Sequence, residues 1–388
     1  MKILHCIGFY NTDLSYREHY YTKKLSENTN DTVYILTSNR SYPFGKLKKK
    51  SFKIGMQKIK KNLYLIRSKR IFQLRDFILF PYKKHIDTIN PDIIHVYDGI
   101  QGIGAFISQY AKHKNIPVVY EHEQRRLSGS VLFFIRNLIF TLPSISIILK
   151  NSNFVRCVTP GAISFLKKIF PHKMKKKQFS ITSLGYDKNI FYRNTNERKF
   201  FRNKYKIKKD TICIGWTGKI YPYKNLEVII NAFKNNSESN KLFIIGTGDL
   251  NYINRLKHLS ADDKNIYWIT TLLNQQKLRQ FFNAMDYGIW TMPTISFFEA
   301  LGTGLPIIIP YGNATAHINS TKVIFYGKDS VDTNNCILSN KRNIEELREI
   351  FINLKQSHHD IDRSNKYNWE SIVQQLREQY ERLIHENI

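Results

Sequence analysis

The stretch Trp290-Thr-Met-Pro-Thr-Ile-Ser-Phe-Phe-Glu-Ala-Leu-Gly-Thr-Gly-Leu-Pro-Ile-Ile-Ile-Pro310 decides the fold class. It begins at the end of an apolar strand at 287–290 and passes through a short polar loop into a helical turn that carries Glu299. After two glycines it ends in a second apolar strand at 305–309. This order predicts a βαβ unit. The N–H groups and the dipole at the start of the helix favour an anion, so a carboxylate beside them suits a ligand with both phosphate and hydroxyl groups.

The same alternation of strands and helices extends along the chain and predicts parallel, doubly wound α/β sheets. The predicted strands are 2–7, 32–37, 93–96, 117–121, 154–159, 181–184, 211–215, 241–245, 266–269, 287–290 and 305–309. The predicted helices include 16–26, 102–112, 225–233, 252–259, 274–285 and 369–384. A polar stretch at 186–209 with poor periodicity separates the halves. We therefore expect domains at 1–185 and 186–368, followed by a C-terminal helix at 369–388.

The composition indicates folded domains with an anionic partner. The chain has 388 residues, of which 42% are hydrophobic, and this fraction excludes a disordered protein. Lysine and arginine number 60 against 31 acidic residues, which gives a net charge of +29. Such an excess is typical of proteins that meet nucleic acid, an acidic lipid surface or phosphorylated substrates.

Several features predict a cytoplasmic protein. The apolar run at 2–7 is too short for a signal peptide. The longest apolar segment, 131–149, contains Arg136, Asn137 and Pro143, which argue against a transmembrane span. Four cysteines lie far apart, as expected for buried thiols of a reduced compartment: Cys6, Cys157, Cys213 and Cys336.

The segment 131–149 has two interpretations. We expect it to be helical up to Pro143, with its polar residues on one side and a broad apolar face on the other. That face favours a helix buried on the sheet, and a helix that lies at a membrane interface is the alternative.

A second motif, Gly218-Lys-Ile-Tyr-Pro-Tyr-Lys-Asn225, follows one predicted strand and precedes a helix. It brings Lys219, Lys224 and a helix N-terminus close together, an arrangement that suits a diphosphate. The alternative is a pair of solvated lysines on a loop, which would give the same sequence pattern. The turn Gly246-Thr-Gly248 after the next strand is a weak signal alone, because glycine is common in tight turns.

Taken in order, these signals resemble the nucleotide-sugar domain of the glycosyltransferase family four superfamily, whose members are retaining enzymes of GT-B fold. The resemblance covers nearly the whole chain. It implies two Rossmann-like domains facing a central cleft, with the C-terminal helix crossing back to the N-terminal domain. The matching residues are Gly218, Lys219, Ile220, Lys224, Gly246, Gly248, Ala284, Asp286, Glu299, Ala300, Gly302, Gly304, Pro306, Trp369 and Glu370.

The resemblance also implies which residues bind the donor. Lys219 and Lys224 would hold the diphosphate and stabilise its charge as it leaves, and Glu299 would accept hydrogen bonds from the ribose hydroxyls. His122, directly after the strand at 117–121, matches a histidine that contacts the transferred sugar near the reaction centre, and the alternative for His122 is a structural role. The other implied donor contacts are the loop glycine Gly218, the backbone of Thr294, Ile295, Ser296 and Phe297, Thr270 beside the base, and Gly8 near the phosphate.

The chain departs from the family pattern at three places. The family has two glutamates eight positions apart, and the first, which contacts the donor sugar, falls on Thr291 here. Lys219 replaces the usual arginine, which keeps the charge but loses bidentate geometry. The usual glycine pair after the first strand is absent, and the polar residues at 11–15 occupy its place. The chain is therefore identified as a divergent member.

Other polar residues give weaker signals. His95 ends a predicted strand and fits a structural role or an acceptor-side role equally. Asp360-Ile-Asp362, beside His358 and His359, is formally a DxD motif, but it precedes a helix instead of ending a core strand. We therefore expect no metal and no cofactor, because lysines take the place of a cation at the phosphates.

The predicted function is that of a retaining glycosyltransferase that moves a sugar from a nucleoside-diphosphate donor to a glycan or lipid-linked acceptor in envelope polysaccharide or glycoconjugate synthesis. The alternative is a nucleotide-sugar-binding protein of GT-B fold that has lost catalysis, which Thr291 favours. Basic clusters at 46–61 and 167–177 predict a peripheral contact with anionic membrane, on the inner face of the plasma membrane. Nucleic acid is not expected, because the basic runs lack interleaved aromatic residues.

Overall fold

The computed structural model describes residues 1–12, 16–28, 30–41, 50–125, 127, 131–234, 240–271, 273–312, 314–327, 341–355 and 365–386. The chain divides into two compact units. Unit 1 comprises Met1–Ser183 together with Trp369–Ile388, and unit 2 comprises Leu184–Asn368. Among the described residues, no helix is both long enough and apolar enough to cross a bilayer.

Unit 1 contains an eight-stranded sheet in the order β10-β9-β8-β7-β1-β2-β4-β3. All neighbouring strands are parallel except β3 and β4. A separate antiparallel hairpin is formed by β5 and β6. The strands are β1 (Lys2–Cys6), β2 (Thr32–Ser38), β3 (Gly55–Lys60), β4 (Leu63–Ser68), β5 (Phe72–Leu74), β6 (Phe77–Leu79), β7 (Ile93–Tyr97), β8 (Val118–His122), β9 (Phe154–Cys157) and β10 (Gln178–Ile181).

Helices lie in the connections between successive parallel strands of unit 1, apart from the connection between β2 and β4, which contains β3. They are α1 (Arg17–Asn28), α2 (Lys83–Ile89), α3 (Ile103–His113), α4 (Val131–Arg136), α5 (Leu142–Asn151), α6 (Pro160–Ile169) and α7 (Pro171–Lys175).

The basic stretch after β2 contains two strands, β3 and β4, that its lysine-rich composition did not predict. The strand β4 pairs in parallel with β2, and its side chains are mostly buried, whereas every residue of β3 is exposed. Lysine-rich sequence on an edge strand is expected, because charge blocks further pairing. Of the predicted basic cluster at 46–61, positions 46–49 lie outside the described residues.

The prediction that the helix at 131–149 ends at Pro143 is wrong. A π-helical segment, Asn137–Thr141, joins α4 to α5, and the helix continues to Asn151. The Leu142 N–H donates to the Asn137 carbonyl five residues earlier. This wider turn accommodates Pro143, which lacks the N–H for the regular bond.

The C-terminal helix, Trp369–His385, belongs to unit 1 and packs against α1. The buried Trp369 ring stacks on Tyr20 with 4.6 Å between ring centroids. Ion pairs border this contact, with Lys24 Nζ 2.6 Å from Glu370 Oε1 and Arg377 Nε 2.9 Å from Asp31 Oδ2. The apolar spacing of the helix therefore serves the core of unit 1.

Unit 2 is built on a six-stranded parallel sheet in the order β13-β12-β11-β14-β15-β16, the doubly wound order. The strands are β11 (Ile212–Thr217), β12 (Asn240–Ile245), β13 (Ile266–Ile269), β14 (Tyr287–Ile289), β15 (Ile307–Pro310) and β16 (Val323–Tyr326). The helices are α8 (Thr195–Lys204), α9 (Leu226–Phe233), α10 (Leu250–Leu259), α11 (Gln275–Ala284), α12 (Ile295–Gly302) and α13 (Lys341–Asn353). The helix α8 lies in the stretch at 186–209 to which the pattern assigned no element.

Asp286, the acidic residue of the Ala-x-Asp motif, has a structural role in unit 2. Its buried carboxylate lies 2.5 Å from Arg198 Nη2 and 3.1 Å from Arg202 Nη1. It also accepts a hydrogen bond from the Cys213 N–H at 2.8 Å. Asp286 therefore ties α8 to the start of β11.

Candidate donor site

The candidate site lies at the carboxyl ends of three neighbouring strands of unit 2. Gly218 follows β11, Gly246 follows β12, and Thr291 stands two residues after β14. The order of strands reverses between β11 and β14, because the chain first adds strands on one side of β11 and then returns to the other side. Ligands of doubly wound sheets bind outside the strand ends at such a switch point.

The loops after β11 and β12 touch each other through backbone atoms. The Ile220 N–H donates to the Thr247 carbonyl at 3.0 Å, and the Asp249 N–H donates to the Ile220 carbonyl at 2.9 Å. A Cβ at Gly246 would lie 1.9 Å from the Gly218 oxygen, and one at Gly248 would lie 2.0 Å from the Ile220 oxygen. The Gly-x-Gly motif is therefore required because the neighbouring loop leaves no room for side chains.

Thr291 anchors the lysine loop to the loop after β14. Its side chain is buried, and its hydroxyl donates to the Lys224 carbonyl at 2.5 Å. The residue that replaces the expected glutamate thus holds the backbone of one of the two predicted phosphate-binding lysines.

The N-terminus of α12 is fixed against the end of β11. The Trp290 Nε1–H and the Ser296 hydroxyl both donate to the Thr217 carbonyl, at 3.0 and 3.2 Å. Thr294 is the N-cap, and its hydroxyl oxygen accepts from the Phe297 N–H at 3.3 Å. The helix N-terminus therefore lies beside Gly218, and the Phe297 N–H already has a partner within the helix.

The two lysines of the loop differ in environment. The Lys219 side chain is exposed, and partial desolvation lowers its pKa. Lys224 is buried, with Nζ 5.2 Å from the centroid of the Tyr223 ring. The rings of Tyr221 and Tyr223 stack at 5.9 Å, so the loop presents cations and aromatic faces together.

Glu299 lies in α12 with 5% of its surface exposed. Its burial raises the pKa of the carboxyl group to about 8. Within the described residues, no hydrogen bond or ion pair reaches this carboxylate. A buried carboxyl group of this kind is suited to bind hydroxyl groups of a ligand.

The remaining predicted donor contacts are distributed over both units. Thr270 is exposed and directly follows β13, at the same edge of the unit 2 sheet as the loops above. Ile295 begins α12. In unit 1, the Gly8 N–H donates to the Gln101 side-chain oxygen at 2.6 Å, so this N–H has a protein partner.

His122 ends β8 of unit 1 and is completely buried. Its Nδ1 lies 2.8 Å from the Tyr120 hydroxyl, and its ring stacks on Phe165 at 5.6 Å between centroids. Burial lowers its pKa to about 3, which keeps the imidazole neutral at physiological pH. The proposed contact of His122 with a sugar stays a prediction.

A buried ionic cluster in unit 1 escaped the sequence analysis. Glu121 is completely buried, with Arg17 Nε 2.7 Å from Oε1 and His95 Nε2 3.2 Å from Oε2. Burial would raise the pKa of Glu121, but Arg17 and His95 lower it to about 2. The Tyr380 hydroxyl lies 2.5 Å from His95 Nδ1, which gives His95 a structural role. The sequence signal for this cluster is Glu121 itself, an acidic residue inside an otherwise apolar strand.

No set of three or more metal-ligating side chains is found in the described part of the chain. The DxD motif Asp360-Ile-Asp362 and the neighbouring His358 and His359 lie outside the described residues. The independence from metal therefore stays a prediction.

The chain matches no family model and no curated protein sequence. It does match solved structures over nearly its whole length. HepE of Anabaena, solved with UDP and glucose, has a TM-score of 0.64 at 12% identity, covering 98% of this chain and 100% of that chain. Sucrose-phosphate synthase from Thermosynechococcus elongatus has a TM-score of 0.66 at 13% identity, with 99% of each chain covered.

A further match is WaaG, a glycosyltransferase involved in lipopolysaccharide biosynthesis, with a TM-score of 0.58 at 13% identity, covering 97% of this chain and 99% of that chain. At such low identities the matches show similarity of fold alone. The two parallel sheets, the doubly wound order and the matched length agree with that similarity. The chain therefore has the two-domain GT-B fold of the glycosyltransferases that it resembles.

Proposed function

We propose that this protein is a retaining glycosyltransferase that uses a nucleoside-diphosphate sugar as its donor. The observation that carries the proposal is the convergence at one sheet edge of Lys219, Lys224, the N-terminus of α12 and the carboxyl group of Glu299, which has no partner among the described residues. Two phosphates need positive charge and hydrogen-bond donors, and ribose needs an acceptor for its hydroxyls. The structure of HepE with UDP and glucose supports the same class of ligand.

Each part of the donor has a proposed partner in unit 2. Lys219 and Lys224 neutralise the diphosphate, and the N–H groups at Thr294, Ile295 and Ser296 donate to it. Glu299 binds the ribose hydroxyls, and Thr270 lies beside the base. Lysines then replace the metal ion that other transferases use at the phosphates, so we expect full activity in excess EDTA.

The proposed reaction breaks the anomeric C–O bond of the donor and forms a bond from the same carbon to an acceptor hydroxyl. The two lysines and the helix N-terminus stabilise the charge that develops on the leaving diphosphate. The motif supplies no obvious nucleophilic carboxylate, so a front-face displacement is proposed, in which the leaving phosphate takes the acceptor proton. The transition state resembles an oxocarbenium ion. His122 and Gly8 of unit 1 are assigned to the sugar and the donor phosphate by the family resemblance.

A second candidate function is binding of a nucleotide sugar without transfer. It is favoured by Thr291, which stands where the family has a glutamate that contacts the donor sugar and whose hydroxyl is bonded to the Lys224 carbonyl. Incubation with labelled nucleotide sugars separates the two functions. Binding with neither transfer nor hydrolysis supports the second.

The proposed acceptor is a glycan or a lipid-linked saccharide of envelope polysaccharide or glycoconjugate synthesis. The net charge of +29 supports a peripheral contact with anionic membrane. The role of the structurally similar WaaG in lipopolysaccharide biosynthesis agrees with an envelope acceptor. A location at the inner face of the plasma membrane remains a prediction from sequence.

A thermal-shift screen against nucleotides and nucleotide sugars tests the donor site directly. A ligand with micromolar affinity at millimolar dose should add roughly 4 kcal/mol to the free energy of unfolding. The variants Lys219→Ala and Lys224→Ala should each weaken donor binding by about tenfold or more, because hydrogen bonds to charged groups are lost.

Lys257→Ala is the matched control, because Lys257 is exposed in the last turn of α10. We expect it to bind the donor as the wild type does. Unchanged donor binding in both loop variants would rule out the phosphate assignment.

A further inference from the structure

Unit 1 carries a continuous apolar surface that the proposed donor chemistry does not use. It consists of large side chains from the β5–β6 hairpin and from the helix that begins with α4. We call it the apolar ridge, and its members are Ile71, Phe72, Leu74, Phe134, Ile135, Leu138 and Ile139. Their exposed fractions range from 41% for Leu74 to 71% for Ile71, which is unusual for so many large apolar residues in one place.

The hairpin half of the ridge has a defined outer face. Gln73 pairs with Ile78, which is completely buried, so this pair faces inward. Phe72 pairs with Leu79, and Leu74 pairs with Phe77, so these residues share the opposite face. On that face Phe72 and Leu74 of β5 are exposed, whereas Phe77 is buried and Leu79 is half-buried. The exposed part of the hairpin face is therefore apolar and belongs to β5.

The hairpin joins the helix through direct contacts. The Phe77 ring lies 5.0 Å from the Phe140 ring and 6.2 Å from the Phe72 ring, measured between centroids. Asp76 Oδ2 at the hairpin turn lies 3.5 Å from Arg136 Nη1. These contacts hold the hairpin against the helix, so the exposed residues of β5 lie near the exposed stripe of the helix.

The exposed stripe continues along the helix towards a basic cluster. Pro143, Ile147 and Lys150 are exposed at intervals of about one turn after Ile139. Lys173, in the predicted basic cluster at 167–177, donates from Nζ to the Ser146 carbonyl at 2.9 Å and so joins the cluster to this helix.

Cations lie beside the hairpin end of the ridge and beside the far end of the exposed stripe that continues from it. Lys69, Arg70 and Arg75 are exposed in and beside the hairpin, and none of them forms an ion pair within the described residues. At the other end, a cavity is lined by Lys167, Lys175 and Lys177 together with Pro171, Met174 and Phe179. An apolar surface flanked by cations matches the boundary between lipid tails and anionic headgroups.

We propose that the apolar ridge inserts into the interface of a bilayer containing anionic phospholipid, with the flanking cations on the headgroups. The proposal rests on the proposed function in one respect, since a lipid-linked acceptor would lie in the same bilayer. Charge complementarity favours lipid over a second copy of this chain, because two copies with a net charge of +29 each repel one another.

Vesicle flotation of the full chain tests the proposal. Wild-type protein should float with phosphatidylcholine vesicles that contain phosphatidylglycerol, and much less with phosphatidylcholine alone. Raising the salt concentration from about 0.1 M to about 1 M should weaken binding, because screening removes the headgroup attraction. Equal binding to both kinds of vesicle would overturn the role of the cations.

Ridge variants test insertion itself. A triple variant with Phe72→Ser, Leu138→Asn and Ile139→Asn should lose about tenfold or more in vesicle binding. Leu250→Ser is the matched control, because Leu250 is a similarly exposed leucine in unit 2. A single Ile139→Trp variant should show blue-shifted emission on phosphatidylglycerol vesicles only. Unchanged flotation of the triple variant, or no shift of the tryptophan emission, would overturn insertion.

Two further measurements distinguish the alternatives. The triple variant should keep the wild-type thermal shift with UDP, so loss of flotation is separable from failure of the donor site. Light scattering should show that the wild type and the triple variant are both monomers. A wild-type dimer that the triple variant abolishes, without vesicle binding, would identify the ridge as a contact between copies and overturn the proposal.

Discussion

At the scale of single residues, Glu299 has a well-defined environment in the candidate donor site. Desolvation raises its pKa to about 8. Most Glu299 carboxyl groups of the free protein are therefore protonated at pH 7. A ribose whose hydroxyls donate to the ionised carboxylate would shift this equilibrium, so donor binding and loss of the Glu299 proton should be linked.

The pH dependence of donor affinity tests this linkage. In the wild type, affinity for UDP should rise as the pH increases from 6 towards the Glu299 pKa of about 8, because the ionised form binds the ribose hydroxyls. Calorimetry at pH 7 in buffers with different ionisation enthalpies should show proton release. Glu299→Gln should bind more weakly and release no proton in this range. Proton release that persists in this variant would contradict the assignment.

Thr291 makes a second prediction at the residue scale. Thr291→Val keeps the side-chain shape but leaves the Lys224 carbonyl without its donor. The free energy of unfolding of unit 2 should fall by about 1–3 kcal/mol, and UDP should bind more weakly because the lysine loop loses its anchor. Urea denaturation and calorimetry measure the two effects.

Thr303→Val is the control for that loop. Thr303 is also buried, and its hydroxyl donates to the Ala300 carbonyl at 2.7 Å at the end of α12. It should lower stability without changing UDP affinity. If Thr303→Val weakened UDP binding as much as Thr291→Val does, Thr291 would affect affinity only through the stability of unit 2.

At the scale of elements, the sequence predicts those whose signals are local. The strands β11 and β12 have apolar runs that end in glycine turns, so their positions follow from the pattern. All residues of the edge strand β3 are exposed, so its lysine-rich sequence lacks the apolar pattern by which a strand is predicted. Pro143 predicts the end of a helix, but the helix continues past it because a π-helical turn precedes the proline. The contacts around Glu121 join residues far apart in sequence, which no local pattern reveals.

The glycine turn after β12 gives an element-scale prediction. Gly246→Ala would place a Cβ 1.9 Å from the Gly218 oxygen, a backbone atom that cannot move without displacing the lysine loop. Unit 2 should lose about 3 kcal/mol of stability, and UDP binding should weaken. Gly312→Ala is the control, because a Cβ there meets nothing within 4 Å. Wild-type stability in Gly246→Ala would contradict the close packing of the two loops.

At the scale of the whole molecule, the C-terminal helix completes unit 1 after the chain has built unit 2. Trp369 is fully buried against Tyr20, and Tyr380 bonds the buried His95. The sequence spacing predicts the helix and its apolar face. The partners of that face could not be predicted, because α1 lies more than three hundred residues earlier in the chain.

This arrangement predicts that damage to the C-terminal helix acts on unit 1. Trp369→Ala creates a cavity beside Tyr20 and should cost about 3–5 kcal/mol. Calorimetric unfolding should show a lower transition temperature for the part of the molecule that UDP does not stabilise. The transition that UDP raises should keep its position, because Lys219, Lys224 and Glu299, which are proposed to bind the nucleotide, lie in unit 2. Ile352→Ala, at an exposed apolar position of α13, should change neither transition. If Trp369→Ala instead lowered the transition that UDP stabilises, the C-terminal helix would support the donor unit, and the assignment of its energetic role to unit 1 would be wrong.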